Sequence, residues 1–151
     1  MSDPVTFRQA TLADISGIDE CNRAVLPENY ERHIYEHILA PGMSSSHVAM
    51  NAGGDIVGYA LCIAHKGSAR PNGELMSIAV LPEYRRRGVG QTLVERSTTP
   101  VFERNIPVEL HVRKSNKSAI RMYLKLGFGR KKKVKRYYGD NEDAFVMIRE
   151  P

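Results

Sequence analysis

The 151 residues suffice for one hydrophobic core and leave little room for a second, so a single domain over residues 1–151 is expected. An apolar content of 42% is ordinary for a globular protein, and no apolar run approaches the ~20 residues of a membrane-spanning helix, which argues against a membrane protein. The net charge of +5 favours an anionic partner without naming it. Residues 1–10, MSDPVTFRQA, lack the apolar stretch of a secretory signal, so a cytoplasmic location is expected.

In chain order, residues 5–9 read as a short strand. Thr11 then precedes a run whose Leu12, Ile15, Ile18 and Val25 recur near helical spacing. After Pro27, Tyr30, Ile34 and Ile38 mark a second helix, stopped by Pro41-Gly42. Residues 47–66 read as a β-hairpin turning at Gly53-Gly54-Asp55. A loop from Arg70 leads into a strand that is almost continuously apolar over 75–81, and so is expected to be central and buried on both faces. A helix from Val89 to about Glu103 follows, which Pro100 is expected to bend or end early. Residues 107–113 form a strand, and 117–126 a helix that Gly127 closes. Two further strands, about 129–138 and 144–149, are joined by the turn-rich 139–143. The whole reads as a mixed α/β fold around one sheet.

Cys21 and Cys62 lie in apolar-periodic stretches and are expected as buried thiols. His33 and His37 share i, i+4 spacing, but with no acidic or thiol partner in a ligand pattern no metal is expected.

The most informative stretch is EYRRRGVGQTLVE at 83–95, where three arginines meet a Gly-x-Gly at the start of a helix. Neither choice favours folding, since like charges repel and glycine costs a helix about 1 kcal/mol relative to alanine. A helix start offers unpaired N–H groups that bind phosphate. Gly88 and Gly90 let a bulky diphosphate approach, and Arg85, Arg86 and Arg87 supply charge around it. The spacing fits neither a Rossmann fingerprint nor a P-loop.

SIAVLPEYRRRGVGQTLVE resembles the acetyl-CoA motif of the GNAT N-acetyltransferases, Arg/Gln-x-x-Gly-x-Gly/Ala after a strand, filled here by Arg85, Gly88 and Gly90. LPENY at 26–30, HVRKSNKSAI at 111–120 and RYYGDNEDAF at 136–145 extend the resemblance over nearly the whole chain. They look like the catalytic subunit of NatA-type protein N-terminal acetyltransferases and their archaeal relatives. The resemblance implies an α+β fold with a mostly antiparallel sheet of about seven strands flanked by about four helices. It also implies an acyltransferase that uses acetyl-CoA as co-substrate and acts on protein N-termini starting with small residues such as Ser or Ala. By the same resemblance Ile78, Ala79, Val80, Val89, Gln91, Asn116 and Ala119 join the arginines and glycines in holding the coenzyme.

Acetyl transfer from a thioester to an amine needs a neutral amine and a donor for the departing sulfur. An α-amino group, with a pKa of about 7.7–8.0, is already partly neutral at pH 7, so a strong base is not required. The resemblance implies Tyr123 as the general acid, although its spacing with Ile120 and Leu124 also suits a core aromatic. The base is His111 or Glu74. His111 matches the position of a family His or Glu, whereas Glu74 stands where other members carry His or Tyr. Leu26, Pro27, Glu28 and Tyr30 match the family's peptide entrance, and Arg113 suits a carboxylate partner such as Glu28. Tyr137 and Tyr138 match tyrosines that hold the substrate backbone, although on one strand only one of them could face a cleft. GRKKKVKR at 129–136 reads as a solvated or ribosome-docking face, with Lys131, Lys133 and Lys135 together on one side. Ribosome and auxiliary subunit remain open as partners, and sequence-specific nucleic acid is not expected. Alternatives are an acetyltransferase of lysine side chains or small amines and, from another class, a non-catalytic basic adaptor of RNA or the ribosome.

Overall fold

The structure, a computed structural model, describes residues 3–42, 44–65 and 71–151; Lys66, at the end of the expected hairpin, and Arg70, at the head of the expected loop, lie outside them. Seven strands form one sheet in the order β1-β2-β3-β4-β5-β7-β6. They are β1 (Thr6–Gln9), β2 (His47–Met50), β3 (Ile56–His65), β4 (Asn72–Val80), β5 (Val108–Arg113), β6 (Gly129–Val134) and β7 (Ala144–Arg149). Every neighbouring pair is antiparallel except β4 and β5.

Among the described residues four α-helices cover the sheet: α1 (Ile15–Val25), α2 (Arg32–Ile38), α3 (Val89–Glu103) and α4 (Lys117–Lys125). On one face Ile15, Ile18, Tyr35 and Ile38 pack on Val48, Tyr59, Leu61 and Ile63. On the other, Val89, Leu93, Val94, Val101 and Tyr123 pack on Leu75, Val108, Leu110 and Val112. This three-layer arrangement follows from the sequence periods: each helix presents one apolar stripe, and each inner strand carries apolar residues to both faces.

Several expectations are corrected. The first helical stretch opens as a 3-10 turn, Leu12–Asp14, where the Asp14 carboxylate accepts from the Thr11 N–H (2.8 Å) and from both terminal nitrogens of Arg8 (2.7 and 2.8 Å). The second helix starts only at Arg32, so Tyr30, expected as its first marker, belongs with Leu26, Pro27 and Glu28 to the loop before it. α3 runs through Pro100 to Glu103, because that proline lies on the exposed side while Val101, beside it, is buried against the sheet and anchors the last turn. β4 is not buried throughout: Gly73, Leu75 and Ala79 are, but the rest of the strand is half-buried. The cause is its neighbour β5, which pairs with it only along Gly73–Leu75 against Val108–Leu110.

Candidate active site

The β4–β5 separation builds the site. Opposite β3 the register slips between Leu61 and Cys62, leaving Met76 as an extra residue on β4. Such a bulge bends its strand. Beyond it, Met76, Ser77, Ile78, Ala79 and Val80 have no partner on β5, and His111, Val112 and Arg113 have none on β4. A wedge-shaped gap therefore opens in the middle of the sheet, with unpaired main-chain groups along both walls.

At the far end of β4 a 3-10 turn, Pro82–Tyr84, leads into α3. Arg86 (φ 63°) and Gly88 (φ 74°) are both left-handed, whereas Arg87 between them is not. Alternating handedness of this kind turns successive N–H groups toward one side, an arrangement that receives anions. The first helical bond runs from Thr92 N–H to Gly88 C=O (3.0 Å), so the amides of Val89, Gly90 and Gln91 have no acceptor within the helix. A Cβ at Gly90 would meet the Met122 sulfur at 3.6 Å and Val80 at 3.8 Å, ordinary contacts, so packing within the protein does not demand glycine there. The room beside its Cα suits a group arriving from outside, and the loop fits a diphosphate.

The three arginines are not equivalent. Arg85 donates from Nε to the Val80 carbonyl (3.0 Å), fastening the loop to the end of β4. Arg87 turns toward the N-terminal segment, donating to the carbonyls of Asp3 (2.9 Å) and Glu83 (3.3 Å) with its guanidinium 5.0 Å from the centre of the Tyr84 ring. Arg86 makes no hydrogen bond or ion pair among the described residues. On the opposite wall, the Asn116 side chain caps α4 by accepting from Ala119 N–H (3.2 Å). Tyr123 follows one turn beyond Ala119 and is only 4% exposed. Its hydroxyl makes no hydrogen bond among the described residues, and burial raises its pKa above the ordinary phenol value.

On the sheet face that carries α1 and α2, the residues expected to line a peptide entrance gather. The α1–α2 loop lays Tyr30 across the bulge, its hydroxyl donating to the Met76 carbonyl (3.2 Å). Burial pushes that phenol up to about 12, with the charge of Glu74 adding to the effect. Arg113 joins two loops: it donates to Glu28 from the α1–α2 loop, and to Asp140 (2.9 and 3.0 Å) and Glu142 (2.9 Å) from the β6–β7 loop. Its guanidinium also lies 4.1 Å from the centre of the Tyr138 ring.

Tyr137 and Tyr138 are not in the penultimate strand, which ends at Val134, but in the following turn. Arg136, left-handed at φ 52°, breaks strand alternation there. Both rings consequently reach the site. Tyr137 stacks on His111 (centroids 4.3 Å apart, planes 11°) and meets Tyr138 edge-on at 5.0 Å. Burial pushes Tyr138 up to about 12, and nearby Glu28 reinforces the shift. The lysines of β6 do not share one side as simple alternation predicts, because a register slip between Arg130 and Lys132 interrupts it. Lys131 instead pairs with Glu109 (3.4 Å) and Lys133 approaches Asp143 (4.0 Å).

One polar chain escaped sequence reasoning. Asn22, fully buried on α1, donates to the Glu28 carbonyl (3.1 Å) and to the Tyr59 hydroxyl oxygen (2.8 Å), and that hydroxyl lies 2.8 Å from Ser77 Oγ on β4. The chain ties the α1–α2 loop to the open stretch of β4. The only available signal was a polar residue on the apolar stripe of α1.

The acetyltransferase (GNAT) family model matches residues 15–128. The chain belongs to the GNAT acetyltransferase family. Among its relatives, an N-alpha-acetyltransferase of Sulfurisphaera tokodaii is 37% identical, over 93% of this chain and 90% of the relative. The N-terminal acetyltransferase A complex catalytic subunit NAA10 of Arabidopsis thaliana is 34% identical, over 95% of this chain and 76% of its own length. A crystal structure of Chaetomium thermophilum Naa20 in complex with a bisubstrate analogue superposes with a TM-score of 0.85 at 27% identity, covering 96% of this chain and 86% of that one. The open amides of the glycine loop and the gap beside them fit the diphosphate and the length of acetyl-CoA, the donor that GNAT enzymes use.

Proposed function

We propose that this enzyme moves the acetyl group of acetyl-CoA to the α-amino group of protein N-termini by direct attack of the amine, both substrates being bound together. The observation that carries the reading is the wedge between β4 and β5, which has an anion-receiving helix start at its mouth and an aromatic, acidic peptide pocket on the α1–α2 face. The relatives' N-alpha-acetyltransferase activity agrees with it.

Bound acetyl-CoA supplies an activated thioester. The amides of Val89, Gly90 and Gln91, with Arg85 and Arg86, hold its diphosphate, while the open main chain of Ile78, Ala79 and Val80 and the start of α4 at Asn116 and Ala119 line its path. Leu26, Pro27, Glu28 and Tyr30 form the peptide entrance, and Arg113 holds Glu28 against the β6–β7 loop. Tyr137 and Tyr138 offer hydroxyls to the peptide backbone. Glu74 or His111 removes the ammonium proton, acting directly or through water. Tyr123 keeps its own proton at neutral pH and donates a hydrogen bond to the departing sulfur. A thiol's ordinary pKa of about 8.5 lies below that of this raised phenol, so the bond stabilises the thiolate without complete transfer. Cys21 and Cys62 are buried thiols pushed up to about 11 chiefly by burial, which disfavours an acyl-cysteine route.

A Ser-starting peptide and its N-terminally blocked, lysine-bearing twin separate this reading from lysine acetylation. Acetylation of the free-terminus peptide alone is expected, and reaction of the blocked twin alone would overturn the assignment. We read the exposed cations of β6 as a ribosome-docking face, checked by co-sedimentation with ribosomes at low salt that disappears at high salt.

A further inference from the structure

β4 carries Glu74 two residues before the wedge opens, and β3 places His65 beside it. Glu74 faces Ile63 across the antiparallel pair, and His65 faces Asn72, so His65 is Glu74's diagonal neighbour. Its Nε2 lies 3.6 Å from Glu74 Oε2. The imidazole is 47% exposed and the carboxylate 34%. His65 lies on the side of Glu74 away from the wedge, so a peptide seated in the wedge covers the carboxylate before it covers the imidazole.

Other groups face the same carboxylate. Glu109 lies opposite on β5, held by Lys131 and Asn72 at 3.4 Å each. Tyr30 from the α1–α2 loop, Tyr137 from the β6–β7 loop and the buried Cys62 of β3 lie close enough to sense its charge. Of these groups His65 alone carries an imidazole, whose unprotonated ring nitrogen can take a proton from a carboxyl and release it again.

We propose that His65 is the outlet for the proton that Glu74 takes from the substrate ammonium, a positioning and relay role that rests on the reading of Glu74 as base. An N–H bond of the ammonium breaks, its proton goes to a Glu74 oxygen, and the electron pair stays on nitrogen for attack. The pair closes from 3.6 Å to hydrogen-bond distance, the Glu74 carboxyl passes that proton to Nε2 of neutral His65, and the imidazolium releases it to water. Glu74 is then a carboxylate again while the peptide is still in place.

The test uses the full chain with a Ser-starting peptide and acetyl-CoA, comparing wild type, His65→Gln, His65→Ala and Glu74→Gln. His65→Gln is expected to lower kcat about tenfold, part of the roughly 10²–10⁴ that acid–base assistance is worth, with the peptide KM nearly unchanged. The acid limb of the wild-type kcat profile is expected to vanish in His65→Gln although His111 is intact. Added imidazole is expected to restore His65→Ala. If Glu74→Gln is slowed but His65→Gln keeps the wild-type rate and limb, the relay is overturned and Glu74 stands. Full activity in Glu74→Gln removes the base and the relay together. No acetylation of any free-terminus peptide by wild type removes the functional reading itself. Unchanged coenzyme affinity in each variant confirms that folding is intact.

Discussion

Burial acts on the phenols of the site in one direction. Tyr30, Tyr59 and Tyr138 are pushed up to about 12 and Tyr123 is raised too, so all four keep their protons at neutral pH and have one to donate. For Tyr123→Phe the ring stays in the core while the donor goes. Steady-state kinetics are expected to show kcat about 10- to 100-fold lower, at or below the low end of the roughly 10²–10⁴ of full acid–base assistance because the proton is not completely transferred, with coenzyme affinity by calorimetry unchanged. Arg113 works differently, by gathering three carboxylates from two loops. Arg113→Ala leaves Glu28, Asp140 and Glu142 without their shared cation, and the peptide KM is expected to rise about tenfold while the coenzyme Kd holds, since a lost charged hydrogen bond is worth about 1.5–3 kcal/mol. The Glu142 N–H and then Arg113 hold Asp140 below the ordinary carboxylate range, and Ser115 and then Arg113 do the same for Glu142. Lowered folded values mean that this stabilisation is complete above the unfolded values of about 4 and is lost as pH falls through the folded ones. In thermal melts, the gap between wild type and Arg113→Ala is therefore expected to be full at pH 7 and to close below about pH 4.

The elements place these residues through a few close approaches. A Cβ at Gly73 would come within 2.7 Å of Val101 Cγ1 and 3.1 Å of the Pro107 carbonyl, so this glycine lets α3 lie close on β4 at the foot of the wedge. Gly73→Ala is expected to cost about 1–3 kcal/mol by overpacking, read from denaturant unfolding. Gly88→Ala strains one left-handed residue by about 1–2 kcal/mol. Its distinguishing outcome is a weaker coenzyme Kd, because the turn that directs the amides is the part distorted. Apolar periodicity was enough to foresee the element order, since helices with one apolar stripe and strands with two announce themselves locally. The motif around Gly88 was legible for the same reason, its chemistry being contained in consecutive residues. What depends on register was not. The bulge at Met76 and the slip near Lys131 each shift one strand against another, and no local pattern records that. Tyr137 and Tyr138 share the site because of one left-handed arginine, and the carboxylates of 140 and 142 read only as turn formers until the fold brought Arg113 to them.

At the scale of the whole molecule, a ligand that binds only the folded form raises its melting temperature by mass action. Coenzyme A at a hundredfold excess over its Kd is expected to add about 2.7 kcal/mol. For a chain of this size that is roughly 5–10 °C in a thermal scan, and no shift would sink the coenzyme assignment. The three-rung parallel seam between β4 and β5 carries a mechanical corollary. Strands β1–β4 and β5–β7 meet within the sheet along this one short line, while α3 and the core beneath it bridge both sides, so loosening of the sheet is expected to start at the open end of the wedge. A coenzyme lodged there is expected to brace both walls, and amide exchange at Gly73 and Leu75 to slow with it.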